Sequence, residues 1–348
     1  MKSILTRRAL GTAAFGAAAL GAAGARAQQG VTITVNGSGG SLAQILTRIY
    51  EQPFTQATGI RVRPTAPVSL ARLRAMIETG NMEWDLTEMG AHDLIEAERN
   101  GWLQEIDWNV VDPDRRLPEI ARHRFGMVTS TFSTVLAFRS DRFGGRRPTG
   151  WRDFWDVRAF PGPRALRDSP VQNLEFALLA DGVDPARLYP LDVDRAFRKL
   201  NEIKRHVATW WSTGAQHTQL LVDGEVVMTS VWNGRITPLR NEGRPVDIIW
   251  QGGALQLSYW VIPRGARHKE QAQLYMRFRL DPERGVQFVR EIPYPGFIPG
   301  LMERLDDRTA RDLPIHPENV AAQFRFDPAW WAERRGPITE RWNAWLLT

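Results

Sequence analysis

Val31, Ile33 and Val35 alternate with threonines over positions 31–35. The turn Asn36-Gly37-Ser38-Gly39-Gly40-Ser41 follows, and Leu42, Ile45, Leu46, Ile49, Tyr50 and Phe54 then recur at helical spacing. This pattern predicts a strand, a glycine turn and a helix. Gly59 ends that helix, Ile60-Arg61-Val62 resumes a strand, and 69–78 reads as a second helix closed by Gly80. The same order returns at 85–89 and 91–100, with Gly101 as the stop. Alternation of strand and helix predicts an α/β fold with a mainly parallel sheet and helices on its faces.

A strand at 134–138 leads out of this first unit into a polar, glycine-containing connection at 142–148. Beyond it, helical patterns cover 172–179, 194–204 and 215–221. Asp223-Gly224 ends the last of these before a strand at 226–231. Two further strands are expected at 247–250 and 256–262, the second carrying the chain back to the first unit, followed by helices at 268–280 and 283–290. The chain exceeds the size at which one core usually stops growing, so two lobes are expected. The division reads 28–139 for lobe 1, 140–257 for lobe 2 and 258–305 for the return to lobe 1. The tryptophan-rich segment 306–348 is expected to pack on lobe 2.

Residues 1–27 differ from the rest. Thr6-Arg7-Arg8-Ala9-Leu10 precedes an uncharged Ala/Gly-rich run and then Ala25-Arg26-Ala27. A basic head, a mildly apolar middle and a small-x-small end make an export signal cleaved near Ala27-Gln28, and the paired arginines predict the twin-arginine route. Cleavage leaves 321 residues and removes four cations and no acid, lowering the formal charge from +6 to +2. The remaining charges are interspersed, which argues against nucleic acid as a partner. The absence of cysteine excludes disulfides, thiolate metal sites and a lipidated N-terminal cysteine, so a soluble periplasmic monomer is expected.

Catalytic signatures are sparse. The six histidines show no i, i+4 pair, and neither a Gly-x-Ser-x-Gly elbow nor a phosphate loop ending in Gly-Lys-Ser/Thr is present. No metal or cofactor is expected. Two places carry candidate binding chemistry. Gly39, Gly40 and Ser41 could present backbone N–H groups and a hydroxyl to an anion at a helix N-terminus, though a tight turn capped by Ser41 explains them equally well. The second is Trp210-Trp211 before a helix start together with Trp232-Asn233-Gly234-Arg235 at a strand end, where open α/β sheets gather ligands.

At these residues the chain resembles the periplasmic solute-binding proteins of bacterial ABC importers, in the branch that contains the spermidine/putrescine binders. The resemblance runs through Gly39-Gly40-Ser41, Pro53-Phe54, Thr58-Gly59-Ile60, Trp84-Asp85-Leu86 and Phe160-Pro161-Gly162. It continues through Trp210-Trp211 to Gly214-Ala215-Gln216, Asp223-Gly224-Glu225-Val226, Trp232-Asn233-Gly234-Arg235 and Val261-Ile262-Pro263. It implies a type II fold of two α/β lobes joined by crossing strands. A small solute would be held in the cleft between them and delivered to inner-membrane permease subunits driven by an ATPase. The residues implied as ligand contacts are Gly39, Gly40, Ser41, Gln172, Trp211, Trp232, Arg235, Gln256 and Ser258.

Where polyamine binders carry carboxylates this chain carries Gln172 and Ser258, with Gln256 in place of an aromatic residue. A buried cation without countercharge pays a large desolvation cost, so these replacements favour an anionic or zwitterionic ligand gripped by Arg235, while the family favours a polyamine. A periplasmic enzyme on the same scaffold, or a sensor subunit presenting its ligand to a receptor, are the competing classes.

Overall fold

The computed structural model describes residues 30–348; the export signal expected over residues 1–27 lies outside them. Its sheet runs in the order 61–65, 32–36, 86–90, 246–263, 126–139, 228–232, 164–167, 207–211. At one end Thr32–Asn36 lies between Arg61–Thr65 and Leu86–Gly90, all parallel, and at the other Arg164–Arg167 lies parallel between Val207–Trp211 and Met228–Trp232. In the middle, Gly126–Arg139 and Val246–Pro263 run antiparallel to each other. The parallel expectation therefore holds for the flanks and fails at the centre.

Val246–Pro263 is one strand where the glycines at 252 and 253 suggested two. Gly252 adopts φ 71° and its carbonyl accepts from the Trp151 indole at 2.8 Å, so the irregularity between Ile249 and Ala254 is absorbed as a bulge and pairing continues. At about 3.3 Å per residue, 18 residues reach roughly 60 Å, enough to pass from one core to another. The cores divide accordingly. Ile33, Trp84, Leu86, Met127, Val128, Tyr259 and Trp260 belong to one apolar cluster. Leu136, Phe138, Leu174, Ala254, Trp331 and Trp342 belong to a second, and Val135, Trp211, Val231 and Ile248 to a third beside it. The change of core falls inside each long strand, and a pair of strands shared by two cores is the physical form of a hinge.

Local signals place the helices. Ser69 caps Leu70–Thr79 by accepting from the Arg72 N–H, and Gly80 closes it in the left-handed conformation. The first helical segment runs from 40 to 58 with a π turn at Thr47–Glu51, and its N-cap is Gly39, not Ser41, which sits within the first turn. Pro328–Leu346 is a single helix despite Pro337. Its Trp331 indole donates to the buried Glu175 (2.7 Å), its Trp342 indole to Asp168 (3.0 Å) and its Trp345 indole to Asn201 (2.6 Å). Three indoles thus fix the C-terminal helix to the second core. Asp85 of the Trp-Asp-Leu motif is structural, accepting from the backbone N–H groups of Thr34, Arg267 and His268. Among the described residues no helix is long and apolar enough to cross a membrane, and no cluster of three His, Cys, Asp or Glu is placed to hold a metal ion.

Candidate functional site

A cleft of about 370 Å³ lies between the two halves, at the small end of ligand pockets, which span roughly 300–1,000 Å³. From the first half come Ser38 and Glu88. From the second come Arg167, Gln172 and Trp232. Phe132, Gln256 and Ser258 rise from the shared strands, and Arg335, Thr339, Trp342 and Asn343 from the C-terminal helix. Arg167 stands at the end of Arg164–Arg167, where α/β sheets place ligand-binding groups, and Glu88 stands in the middle of Leu86–Gly90.

Charge in this cleft is unevenly compensated. Asp93 is paired with Arg335 at 2.6 Å, and Asp168 accepts from Trp342. Arg167 has no carboxylate within salt-bridge range among the described residues, and no cation stands within that range of Glu88. The Arg167 guanidinium lies over Trp232 (5.6 Å) and Trp211 (5.9 Å), a cation–π setting. Burial pushes its pKa below the usual arginine value, with Asp93 a smaller opposing influence. Burial raises the Glu88 carboxyl, offset in part by hydroxyl hydrogen bonds from Ser38 (3.2 Å from Oε2) and Ser258 and by the charge of Arg279.

Two further donors stand beside Arg167. Gln256 Nε2 donates to Thr134 Oγ1, which donates to Gln172 Oε1, each at 3.0 Å, so the Gln172 carboxamide is oriented by a relay from the hinge strands. Gln172 caps the helix Asn173–Ala180 with φ 74°, an unusual backbone for a residue with a side chain. Its Nε2 is buried and has no protein acceptor, and the same is true of the Trp232 indole N–H. A buried donor without a partner costs about 1–3 kcal/mol, so both gain from a ligand oxygen.

Trp232 is held by packing. Its ring meets Trp211 and His217 edge-on at 5.7 Å each, and Phe132 at 6.3 Å. A Cβ at Gly214 would lie 2.8 Å from the Trp232 ring, so glycine is what lets the ring lie against the helix start. Asn233 adds two ties, accepting from the Ser133 N–H at 2.9 Å and donating to the Pro293 carbonyl at 3.2 Å. Behind the ring His217 is kept neutral, its pKa pushed down to about 3 by burial and then by the charges of Arg235 and Arg167.

The candidate residues read from sequence therefore separate. Gln172, Trp232, Gln256 and Ser258 line the cleft. Trp211 is fully buried and stands behind Trp232, because its strand points it inward while Trp210 packs on Trp342 and Trp345. Gly39 and Gly40 do not form the cleft wall; Ser38 does, and Gly39 borders a smaller cavity behind Glu88. Arg235 lies in the first turn of Asn233–Asn241, and its Nη1 donates to Ser41 Oγ across the two halves at 3.0 Å. Arg167 lines the cleft without a carboxylate partner among the described residues, and Arg235 is not among its lining residues. Glu88, Arg167, His92, Asp93 and Arg335 were missed. For Arg167 the available signal was its place at a strand end.

Two α/β lobes, two shared strands and a cleft lined from both sides define a two-lobe solute-binding protein of the type II kind. The model of the bacterial extracellular solute-binding proteins matches residues 50–314, and the chain belongs to that family. The gamma-aminobutyric acid-binding protein of Pseudomonas aeruginosa is 33% identical over 330 residues, 93% of each chain. The spermidine/putrescine-binding periplasmic protein of Escherichia coli is 26% identical over 279 residues, 77% of this chain and 79% of that one. The structure of an Agrobacterium tumefaciens binding protein in complex with agropinic acid superposes with a TM-score of 0.83 at 29% identity, covering 92% of this chain and all of the other. The chain is the substrate-binding component of an ABC transporter.

Proposed function

We propose that the solute is a small zwitterion of the amino-acid type. Its carboxylate is received by Arg167 with the Gln172 and Trp232 N–H groups, and its ammonium by Glu88. One observation carries this reading. The cleft presents one guanidinium and two buried N–H groups without acceptors among the described residues, and, of its two carboxylates without a cation, Asp168 accepts from the Trp342 indole while Glu88 has a hydroxyl partner in Ser38. A ligand bearing both charges satisfies the guanidinium, both N–H groups and Glu88, whereas a polyamine leaves Arg167 facing like charge. The gamma-aminobutyric acid named for one relative is of this chemistry, and the E. coli relative's polyamines are not.

In this reading the protein acts without catalysis and passes its solute to permease subunits of the inner membrane as a periplasmic monomer, in keeping with relatives named as binding proteins. The lobes divide near 139, 257 and 305, and the twin arginines of the leader direct export in the folded state. Calorimetry with γ-aminobutyrate, an opine and spermidine tests the ligand class. Micromolar or tighter binding of a zwitterion with no heat from spermidine is expected; tight spermidine binding with no zwitterion binding refutes the assignment.

A further inference from the structure

The C-terminal helix belongs to the second core through Trp331 and Trp342, yet its opposite face meets the first lobe. Arg335 Nη1 donates to Asp93 at 2.6 Å and its Nη2 to Glu96 at 3.0 Å, while Glu333 accepts from Arg99 at 3.3 Å. Asp93, Glu96 and Arg99 lie on the helix Ala91–Arg99, whose Leu94 and Ala97 are buried in the first core. Phe326, just before the C-terminal helix, meets the His92 ring edge-on at 6.2 Å. Arg335, His92 and Asp93 also line the ligand cleft, so these contacts sit at its mouth and not at the hinge.

We propose that the C-terminal helix is a strap across the cleft, with Arg335 as the positioning residue that binds the two lobes together in the closed form. Separating the lobes on this side breaks three ion pairs at once. Two converge on a single arginine whose two nitrogens engage two carboxylates, a geometry that gains from planarity and from a half-buried setting. Exposed pairs are individually weak, at about 0–1 kcal/mol, so the strap biases the open–closed balance without locking it. Solute binding can then tip the balance, and release to a permease requires that the same few contacts be pulled apart. This rests on reading the cleft as the solute site, and it concerns the regulation of that site.

The chain lacks cysteine, so Gln56→Cys and Arg198→Cys, exposed positions on the two lobes, accept a pair of spin labels. The distance distribution of the solute-free protein is measured for the parent, for Arg335→Glu, and for Arg335→Glu with Glu96→Arg and Asp93→Asn. Arg335→Glu sets like charges against Asp93 and Glu96, and it is expected to lower the closed-to-open ratio by about five- to tenfold, with the exchanged variant recovering most of it. An unchanged distribution in Arg335→Glu overturns the strap, as does a shift that the exchanged variant fails to reverse. Because the readout needs no solute, it stands apart from the identity of the ligand. A calorimetric titration of γ-aminobutyrate into the same variants that finds no binding even to the parent counts against the ligand reading alone.

Discussion

Replacing Arg167 by alanine separates what the cleft needs for binding from what it needs for folding. In the folded protein the guanidinium is carried on Trp232 and Trp211, has no carboxylate partner among the described residues, and is held below its ordinary pKa by burial. Its charge is compensated only when a ligand carboxylate arrives. Losing one partner of a desolvated, hydrogen-bonded charge pair costs about 2–5 kcal/mol, so Arg167→Ala is expected to raise the Kd for a zwitterionic solute by roughly 30-fold to several thousand-fold. The solute-free protein should not suffer in parallel. Removing an uncompensated, partly buried cation relieves a desolvation cost, and the apo Tm is expected to stay level or rise. Calorimetry gives the first quantity and scanning calorimetry without ligand the second. A Kd within threefold of the parent would falsify the assignment of Arg167 to the ligand carboxylate. A normal Kd loss accompanied by a fall in apo Tm would instead show that the arginine is an internal structural element.

Arg235→Ala, by contrast, should change the Kd by less than about tenfold, since that guanidinium is engaged with Ser41, and a loss as large as that of Arg167→Ala would restore it as the primary contact. Glu88→Gln should weaken a zwitterion by about 10- to 100-fold. In the parent, affinity should decline as pH falls through the raised Glu88 pKa, a decline the variant lacks in a pH series of titrations. Glu175 is buried with its pKa raised from 4.5 to about 7, so its protonation favours the folded state: the contribution is full below pH 4.5 and lost as pH rises through 7, about 3 kcal/mol in all. Glu175→Gln should flatten the fall of Tm between pH 5 and 8, and a slope equal to the parent's would exclude Glu175 as its source.

What the sequence made legible follows the range of the forces involved. The strand–turn–helix order and the caps at Ser69, Gly80 and Gly59 are set by neighbours in the chain, and they were read to within a residue or two. Trp232 was found because it sits in a motif at a strand end, and Gln172, Gln256 and Ser258 because the family resemblance points to their positions. Trp211 was misjudged for want of a third dimension. Adjacent strand residues face opposite ways, but nothing local says which of Trp210 and Trp211 meets the cleft, and the partners that decide it lie in the C-terminal helix more than 100 residues away. Arg335 shares that distance, and no local pattern could bring it to Asp93. Arg167 and Glu88 were less remote. Arg167 ends its strand, and the rule that ligands gather at the carboxyl ends of α/β strands would have singled it out, while Glu88 stands two residues inside the end of Leu86–Gly90.

The replacement of the expected carboxylates by Gln172 and Ser258 takes on a physical meaning once Glu88 and Arg167 are placed. Carboxylates at those two positions would lie on the second lobe and on a shared strand, whereas here Glu88 stands on the first lobe and Arg167 on the second. A solute with a single charge engages only one of them and has little differential affinity for the closed form over the open form. A solute can shift the balance only by that difference. A zwitterion engages both groups only when the lobes are together, so charge selection and closure become one event. Arg167→Ala and Glu88→Gln should therefore each abolish solute-driven closure even at concentrations that restore occupancy. A label-distance measurement at saturating γ-aminobutyrate checks this, and full closure of either saturated variant would show that the lobes are drawn together by something other than the two charges.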